Sequence, residues 1–255
     1  MGTLTVAVVQ QKGGSGKTTL SVNLGACAHL AGFRSVIVDL DPQGSAFDWS
    51  EKRPEGSRLD GLAVVQAAPH TEKLEREGLK LARYAEITQP YEVAFLDGSR
   101  IGAITQSAAV AADIVLMPIQ PGGFDFWAME DTLAAIDRAD QVREHIGRGP
   151  VHRAFVLNRA AVGTRLARDA AKALRGAEFV GVVHQRVAFG DTSLVGESVL
   201  SSPAASLAAA EIEKLWRALR KIGTNGRARI QKAQHGKDAS HGGETRRRVS
   251  KAVGG

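Results

Sequence analysis

Residues 12–19 form a glycine-rich segment with two lysines, KGGSGKTT. A common phosphate-binding loop follows the pattern G-x-x-x-x-G-K-[ST], in which backbone N–H groups surround the phosphates and the final hydroxyl binds Mg²⁺. Gly16, Lys17 and Thr18 match the end of this pattern, but Gln11 stands where its first glycine should be. The segment therefore predicts a phosphate site of unusual form, with Lys17 against the β- and γ-phosphates and an additional lysine at its start.

Two further segments place carboxylates directly after apolar runs. VDLDPQ at 38–43 contains Asp39 and Asp41, and VAFLD at 93–97 ends in Asp97. Beside a phosphate loop, such carboxylates can hold Mg²⁺ with its water shell and orient an attacking water. A capped turn after a strand is the alternative for 38–43, and Asp97 alone is a weak signal because many strands end in Asp.

Strand-like and helical patterns alternate along the chain. The strand-like runs are 4–9, 35–40, 62–67, 92–97, 113–119, 153–157 and 179–183. The helical patterns are 18–31, 71–85, 103–112, 125–146 and 164–175, with a last helix that begins at Ser202-Pro203 and ends at Gly223. This alternation predicts an α/β fold, a doubly wound and mainly parallel sheet flanked by helices, with ligand chemistry at the strand C-terminal ends.

The net positive charge is concentrated at the C-terminal end. Residues 224–255 hold eight Lys or Arg against two acidic residues, which accounts for the whole chain's net charge of +6. This segment is poor in apolar residues and cannot bury enough surface to offset its chain entropy. We therefore expect one folded domain over 1–223 and a disordered basic tail over 224–255.

The composition also favours a cytoplasmic protein. No apolar run approaches the roughly 20 residues of a membrane span, and the N-terminus does not resemble a signal peptide. The single cysteine, Cys27, excludes an internal disulfide and a four-cysteine metal site within one chain.

Several of these segments together resemble one protein family. KGGSGKTT resembles the deviant Walker A motif, KGGxxK[ST], of the ParA/MinD ATPases, and 38–43 resembles their A′ motif, D-x-D-P-Q. MPIQPGGFDFWAMEDT at 117–132, FVLNRA at 155–160 and HQRVAFGDTSLVGESV at 184–199 look like short ParA proteins of the ParF type. The similarity covers about residues 4–222 and implies a P-loop fold that binds ATP and Mg²⁺.

The resemblance also implies roles for individual residues. Lys12 would reach the phosphates of ATP in the other subunit of a sandwich homodimer, Asp41 would position the attacking water, and Asn158 would recognise adenine. Turn capping remains an alternative for Asn158. The implied ATP-binding residues are Lys12, Gly13, Gly14, Ser15, Gly16, Lys17, Thr18, Thr19 and Asn158. The implied catalytic residues are Lys12, Lys17 and Asp41, and the implied Mg²⁺ residues are Thr18, Asp39 and Asp97.

One short stretch departs from the family pattern. Small residues and prolines often follow the aspartate of the third motif, whereas Asp97 is followed here by Gly98-Ser99-Arg100. Arg100 could contact the nucleotide or a partner, and an ordinary surface arginine is the alternative.

The resemblance predicts a DNA-segregation ATPase that is cytoplasmic and associated with the nucleoid. Its ATP-bound dimer would bind DNA without sequence preference, and a small ParB- or ParG-like DNA-binding activator would trigger hydrolysis and release. The candidate DNA-contacting residues are Arg165, Arg168, Arg175 and Arg186 in the domain and Arg246, Arg247 and Arg248 in the tail. A solvated surface is the alternative for each of them.

Two alternatives share the same nucleotide chemistry. A ParA-like ATPase could position another cargo, such as a chemotaxis cluster or a conjugation complex. MinD-like membrane cycling requires a C-terminal amphipathic helix, and 224–255 lacks the apolar stripe, so we expect no membrane partner.

If the tail contributes to DNA binding, deletion of 224–255 should reduce the dependence of the affinity on salt. Each phosphate contact that is lost lowers the slope of log affinity against log salt by about 0.9. Fluorescence anisotropy of labelled duplex DNA over a salt series measures this slope. An unchanged slope would exclude a role for the tail in DNA binding.

Overall fold

The computed structural model describes residues 2–67, 72–174, 178–202 and 205–225. The chain divides into a first unit, Met1–Leu219, and a second unit that begins at Arg220. Of the second unit, residues 220–225 are described and are helical. Arg175, Arg246–Arg248 and nearly all of the predicted tail lie outside the described residues, so the tail prediction stays a prediction.

Seven strands form one parallel sheet. They are β1 (Leu4–Val8), β2 (Ser35–Asp39), β3 (Ala63–Gln66), β4 (Val93–Asp97), β5 (Ile114–Ile119), β6 (His152–Ala160) and β7 (Glu178–His184). Their order is β3-β2-β4-β1-β5-β6-β7, and each described pairing is parallel. Strands β1, β2, β4 and β5 are buried along their whole length, as their continuous apolar sequences require. The predicted fold class is confirmed.

Helices connect and flank the strands. They are α1 (Lys17–Leu30), α2 (Ser45–Glu51), α3 (Glu72–Glu77), α4 (Leu81–Thr88), α5 (Gly102–Ala111), α6 (Gly123–His145), α7 (Arg165–Ala173) and α8 (Val187–Leu194). Residues 206–219 are helical as well. In the described part of the chain, none of the helices combines the length and the apolar character needed to cross a bilayer.

The prediction of a single helix over 71–85 was wrong. Helices α3 and α4 are separated at Gly78, whose φ of +70° lies in the left-handed region. A Cβ at this position would lie 2.4 Å from the carbonyl oxygen of Ala103. The close approach of this turn to α5 therefore requires glycine and interrupts the helix.

Other boundaries differ because short elements carry weak sequence patterns. Helices α2 and α8 were not predicted, and each is only seven or eight residues long. The last helix was predicted to end at Gly223, but it continues further, since residues 223–225 are still helical. There the Thr224 hydroxyl hydrogen-bonds to the carbonyl oxygens of Arg220 and Lys221.

The register of the central strands brings two of the aspartates singled out in the sequence to the carboxyl ends of neighbouring strands. Asp39 at the end of β2 pairs with Asp97 at the end of β4, and Asp97 pairs with Val8 of β1. A Cβ at Gly98 would lie 2.7 Å from the carbonyl oxygen of Val8, so only glycine allows the chain to leave β4 this close to β1. Both aspartates therefore lie next to the loop that follows β1.

One buried arginine fixes helix α5 behind this edge. The Arg143 side chain on α6 donates through Nη1 to the carbonyl oxygens of Ala109, Val110 and Ala112 at 2.7–3.3 Å. These carbonyls belong to the C-terminal turn of α5 and the residue after it, where a cation is favourable. The contact fixes the end of α5 that is farther from the Asp97–Arg100 stretch.

Candidate functional site

The segment after β1 forms a loop that opens onto the N-terminus of α1. Gly14 and Gly16 have φ values of +75° and +88°, which turn the chain sharply before Lys17. A Cβ at Gly16 would lie 2.3 Å from Nδ2 of Asn158, so the position admits only glycine. The N-terminus of α1 has neither a side-chain cap from Gly16 nor an acidic residue in its first turn. Its N–H groups and helix dipole are therefore available to an anion.

Gln10 and Gln11 attach the start of this loop to helix α6. The Thr132 hydroxyl donates to Oε1 of Gln10 at 2.7 Å and accepts from the backbone N–H of Gln11 at 3.2 Å. Nε2 of Gln11 donates to the carbonyl oxygen of Asp131 at 3.1 Å. The residue that replaces the first glycine of the common pattern thus anchors the loop, a function that the sequence did not predict.

Two further side chains hold the tip of the loop. Gln120 after β5 and Arg159 of β6 both donate to the carbonyl oxygen of Gly14, at 2.7 and 3.0 Å. Arg159 has φ +54°, which is unusual for a residue other than glycine. Asn158 beside it is buried and donates Nδ2 to the carbonyl oxygen of Ser15 at 2.7 Å. The loop conformation is therefore held by hydrogen bonds from three sides.

A cavity of about 310 Å³ lies above the loop. Its lining residues are Gly13, Gly14, Gly16, Lys17, Thr18, Thr19, Asp41, Arg100 and Arg159. Six of these are among the ATP-binding residues that the family resemblance implied. The lining includes Lys17 but not Lys12 or Ser15, although both belong to the described residues. The three cations Lys17, Arg100 and Arg159 make the cavity suitable for a polyphosphate.

Lys17 is largely buried at the base of this cavity, with 8% of its surface exposed. Burial lowers the pKa of Lys17, while the carboxylates of Asp97 and Asp41 oppose the shift and Arg100 adds to it. An anion in the cavity would supply the negative charge that favours the protonated ammonium.

Asp39 has a structural task that the sequence did not reveal. Its Oδ1 accepts from the backbone N–H of Asp41 at 3.0 Å, and its Oδ2 accepts from those of Ala46 and Phe47 at 2.8 and 3.0 Å. Asp39 thereby caps helix α2 and shapes the turn that carries Asp41 into the cavity lining. Its predicted part in the Mg²⁺ shell stays a prediction.

Asp97 is fully buried and incompletely paired. Its Oδ1 accepts from the Ser21 hydroxyl at 2.9 Å, whereas its Oδ2 has no hydrogen-bond partner among the described residues. Burial, and then the nearby charge of Asp39, raise the pKa of Asp97 to about 7, while hydrogen bonds from Thr18 and Ser21 act in the opposite direction. A buried carboxylate oxygen without a partner, beside a threonine hydroxyl, matches the hard oxygen ligands that Mg²⁺ prefers. The residues present therefore fit a magnesium ion.

A second cavity of about 500 Å³ adjoins the first through Thr19 and Arg159. Asn158 and the residues that follow β7, Gln185 to Val187, contribute to its lining. Its position beside the polyphosphate cavity suits the nucleoside of the same ligand. The adenine contact predicted for Asn158 stays a prediction, because the hydrogen bond seen for its Nδ2 goes to the loop.

The predicted DNA-contacting arginines occupy different environments. Arg186 is bound to Glu211 through Nη2–Oε1 at 2.6 Å and Nε–Oε2 at 3.4 Å, and its side chain is 23% exposed. Arg165 and Arg168 lie exposed on α7, and Arg165 also pairs with Asp169 at 3.3 Å. Of these three, Arg165 and Arg168 are therefore the more accessible to a polyanion.

Comparison with known families decides the assignment of this site. The model of the CobQ/CobB/MinD/ParA nucleotide binding domain matches residues 6–199. The chain belongs to this family. The matched range contains the phosphate loop, both aspartate segments and Asn158, so the residues that line the cavity lie within a nucleotide-binding domain of the ParA/MinD type. The closer resemblance to ParF-type proteins stays a prediction.

Several curated relatives have partition or positioning names. The chain is 25% identical over 229 residues to the sporulation initiation inhibitor protein Soj of Bacillus subtilis, covering 76% of this chain and 89% of that protein. It is 34% identical over 138 residues to the maintenance of carboxysome distribution protein A of Halothiobacillus neapolitanus, covering 53% and 59%. It is 31% identical over 157 residues to the chromosome-partitioning ATPase Soj of Thermus thermophilus, covering 54% and 62%. The last two matches thus span less than two thirds of those proteins.

Solved structures with the same fold have lower sequence identity. A plasmid partition protein from Borrelia burgdorferi bound to AMPPNP has a TM-score of 0.64 at 13% identity, covering 87% of this chain and 99% of that one. The cell division ATPase MinD of Pyrococcus furiosus has a TM-score of 0.61 at 19% identity, covering 87% and 100%. At these identities the likeness establishes the fold alone.

Replacing Asp97 with Asn should stabilise the nucleotide-free protein and impair Mg²⁺-dependent nucleotide binding. The substitution removes a buried, poorly paired carboxylate, and we expect a gain of about 1–3 kcal/mol in unfolding free energy near pH 8. Because the pKa of Asp97 is raised on folding, the folded wild type binds more protons than the unfolded chain between about pH 4 and 7. The contribution of Asp97 should make wild-type stability fall as the pH rises through this interval, and the variant should lose that contribution. Burial also raises the pKa of Asp39, so a weaker dependence of the same sign should remain.

Urea denaturation in EDTA at several pH values measures this effect, and titration with ATPγS with and without Mg²⁺ measures the binding. Asp60→Asn, at an exposed position, serves as the control. A variant that is less stable than the wild type at pH 8, or that retains the full effect of Mg²⁺ on binding, would contradict this assignment.

Proposed function

We propose that the protein is an ATP-dependent DNA partition ATPase. The observation that carries the proposal is the cation-lined cavity above the phosphate loop, which includes Lys17, Thr18 and Asp41 and lies beside the incompletely paired Asp97. Membership of the ParA/MinD family and the names of its Soj relatives support a segregation role. Weak ATP hydrolysis, accelerated by a partner, completes the proposal.

Each residue of the cavity has a distinct task in this proposal. Lys17 and the backbone N–H groups of the loop bind the β- and γ-phosphates, since the N-terminus of α1 faces them. Asp41 lies on the cavity wall and orients the attacking water. Thr18 and Asp97 hold Mg²⁺, which when bound neutralises charge on the β- and γ-phosphates.

Lys12 makes ATP the condition for dimerisation. It is partly buried and lies outside the cavity lining, whereas Lys17 lines the cavity and serves the phosphates of its own chain. A triphosphate buried at a two-fold interface needs cations from both subunits. Lys12 therefore reaches the nucleotide of the partner subunit, and without ATP two such lysines oppose each other across the interface.

DNA binding follows from dimerisation because the dimer doubles the number of exposed cations. Arg165 and Arg168 on α7 are accessible for phosphate contacts that carry no base specificity. Arg186 has a smaller part, since Glu211 already neutralises it. The activator is a small ParB- or ParG-like DNA-binding protein, and the cycle takes place on the nucleoid in the cytoplasm.

A second candidate function keeps the same ATPase cycle and changes the cargo. The match to a maintenance of carboxysome distribution protein A, at 34% identity, favours the positioning of a large assembly on the nucleoid. Pull-down of the cargo-side activator from the native host distinguishes the two: a DNA-binding protein indicates partition, and an assembly-associated protein indicates positioning.

The central experiment is DNA binding with ATP, with ADP and without nucleotide across a salt series. We expect binding with ATP only and a steep loss of affinity with salt, because the contacts are to phosphates. Electrophoretic mobility shift and anisotropy on unrelated duplexes test both points. Binding that is independent of nucleotide, or binding to vesicles instead of DNA, would contradict the proposal.

Asp41→Ala should keep the protein in the ATP-bound state that binds DNA. It removes the residue that orients water but leaves the phosphate contacts, so turnover should fall at least tenfold while ATP-dependent DNA binding is retained. Undiminished phosphate release from Asp41→Ala would refute the role given to Asp41.

Lys12→Ala should abolish the ATP-dependent dimer and retain nucleotide binding to the monomer. Sedimentation velocity with ATPγS measures the dimer, and titration of a fluorescent ATP analogue measures binding. Lys73→Ala, at an exposed position on α3, is the control for loss of one surface charge. A Lys12→Ala protein that dimerises like the wild type would exclude the proposed contact across the interface.

A further inference from the structure

Arg100 lies over the phosphate loop although it follows β4, far from the loop in sequence. Its Nη1 is 3.3 Å from the position that a Cβ on Gly13 would occupy, and Cδ is 3.4 Å from it. The side chain also lines the cavity that Lys17, Thr18 and Asp41 share. The absence of a side chain at Gly13 therefore leaves the space that the guanidinium occupies.

Arg100 approaches other cations without a carboxylate partner. Within the part of the chain that the structure describes, no Asp or Glu lies within ion-pair distance of its guanidinium. Its charge also acts on the nearby ammonium of Lys17. Two cations that share a cavity repel each other, and an anion that binds between them relieves the repulsion.

The position of Arg100 indicates which phosphate it contacts. It stands three residues after Asp97, and its side chain lines the same cavity as Lys17 and Asp41. In the proposed function Lys17 binds the β- and γ-phosphates and Asp41 orients water toward the γ-phosphate. Because the charge of Arg100 acts on the Lys17 ammonium, its guanidinium is close enough to contact the γ-phosphate as well. Arg159 reaches the loop from β6 instead and donates to the carbonyl oxygen of Gly14.

We propose that Arg100 is a specificity-determining residue that binds the γ-phosphate of ATP in its own subunit and so favours ATP over ADP. This inference rests on the proposed ATPase function and adds to it a guanidinium supplied from within the chain. A planar guanidinium can donate two parallel hydrogen bonds to phosphate oxygens, which a lysine cannot. Arg159 acts differently, since its contact with Gly14 positions the loop for either nucleotide.

The test compares affinities for Mg²⁺-ATPγS and Mg²⁺-ADP by isothermal titration, at protein concentrations where sedimentation shows a monomer. Arg100→Gln should weaken ATPγS binding about tenfold and ADP binding less than twofold, because one charge-assisted contact to the γ-phosphate is lost. Arg100→Lys keeps the charge but loses the paired donors, so it should recover only part of the preference for ATPγS.

Arg34→Gln is the matched control. Arg34 is an exposed arginine that precedes β2, at the opposite edge of the sheet, and pairs with Glu92 at 3.7 Å. It should leave both affinities unchanged. If Arg100→Gln changes both affinities equally, or neither, the inference is wrong while the proposed function stands. If the wild type binds neither nucleotide, the proposed function itself fails.

Discussion

A fully buried carboxylate with one unpaired oxygen is the constraint around which the rest of this site is arranged. Asp97 lies at the carboxyl end of the interior strand β4, where burial makes its charge costly. Its neighbours on one side are Thr18 and Lys17 at the start of α1, and on the other side Asp39 at the end of β2. A cation bound beside this carboxylate, close to a polyphosphate, would therefore offset the cost of burying its charge.

The surrounding structure keeps this costly arrangement in place. Asp39 accepts hydrogen bonds from three backbone N–H groups and so holds the turn at Asp41, and the close approach of Gly98 to Val8 fixes the end of β4. Arg143 secures the far end of α5 through three carbonyl oxygens. Hydrogen bonds and close contacts with neighbouring strands and helices therefore hold the turns that carry the functional side chains.

The local sequence predicted those features that depend on local patterns. Apolar runs gave all seven strands to within a few residues, and the spacing of Gly16, Lys17 and Thr18 located the phosphate loop. The features that were missed depend on contacts between distant segments. Arg159 reaches Gly14 across 145 residues, and Glu211 neutralises Arg186 across 25, and neither partner can be inferred from the residues beside it. The interruption at Gly78 likewise depends on the proximity of α5.

The attachment of Gln10 and Gln11 to Thr132 has a consequence for the thermodynamics of nucleotide exchange. Because the protein's own hydrogen bonds hold the loop in shape, a ligand spends little of its interaction energy on ordering the backbone. This reduction in the ordering cost is the same for the triphosphate and the diphosphate. Preorganisation of the loop therefore raises the affinity for both nucleotides and leaves the ratio of the two affinities unchanged. Any difference in residence time between the two nucleotides must then come from the groups that contact the γ-phosphate, and not from the cost of ordering the loop.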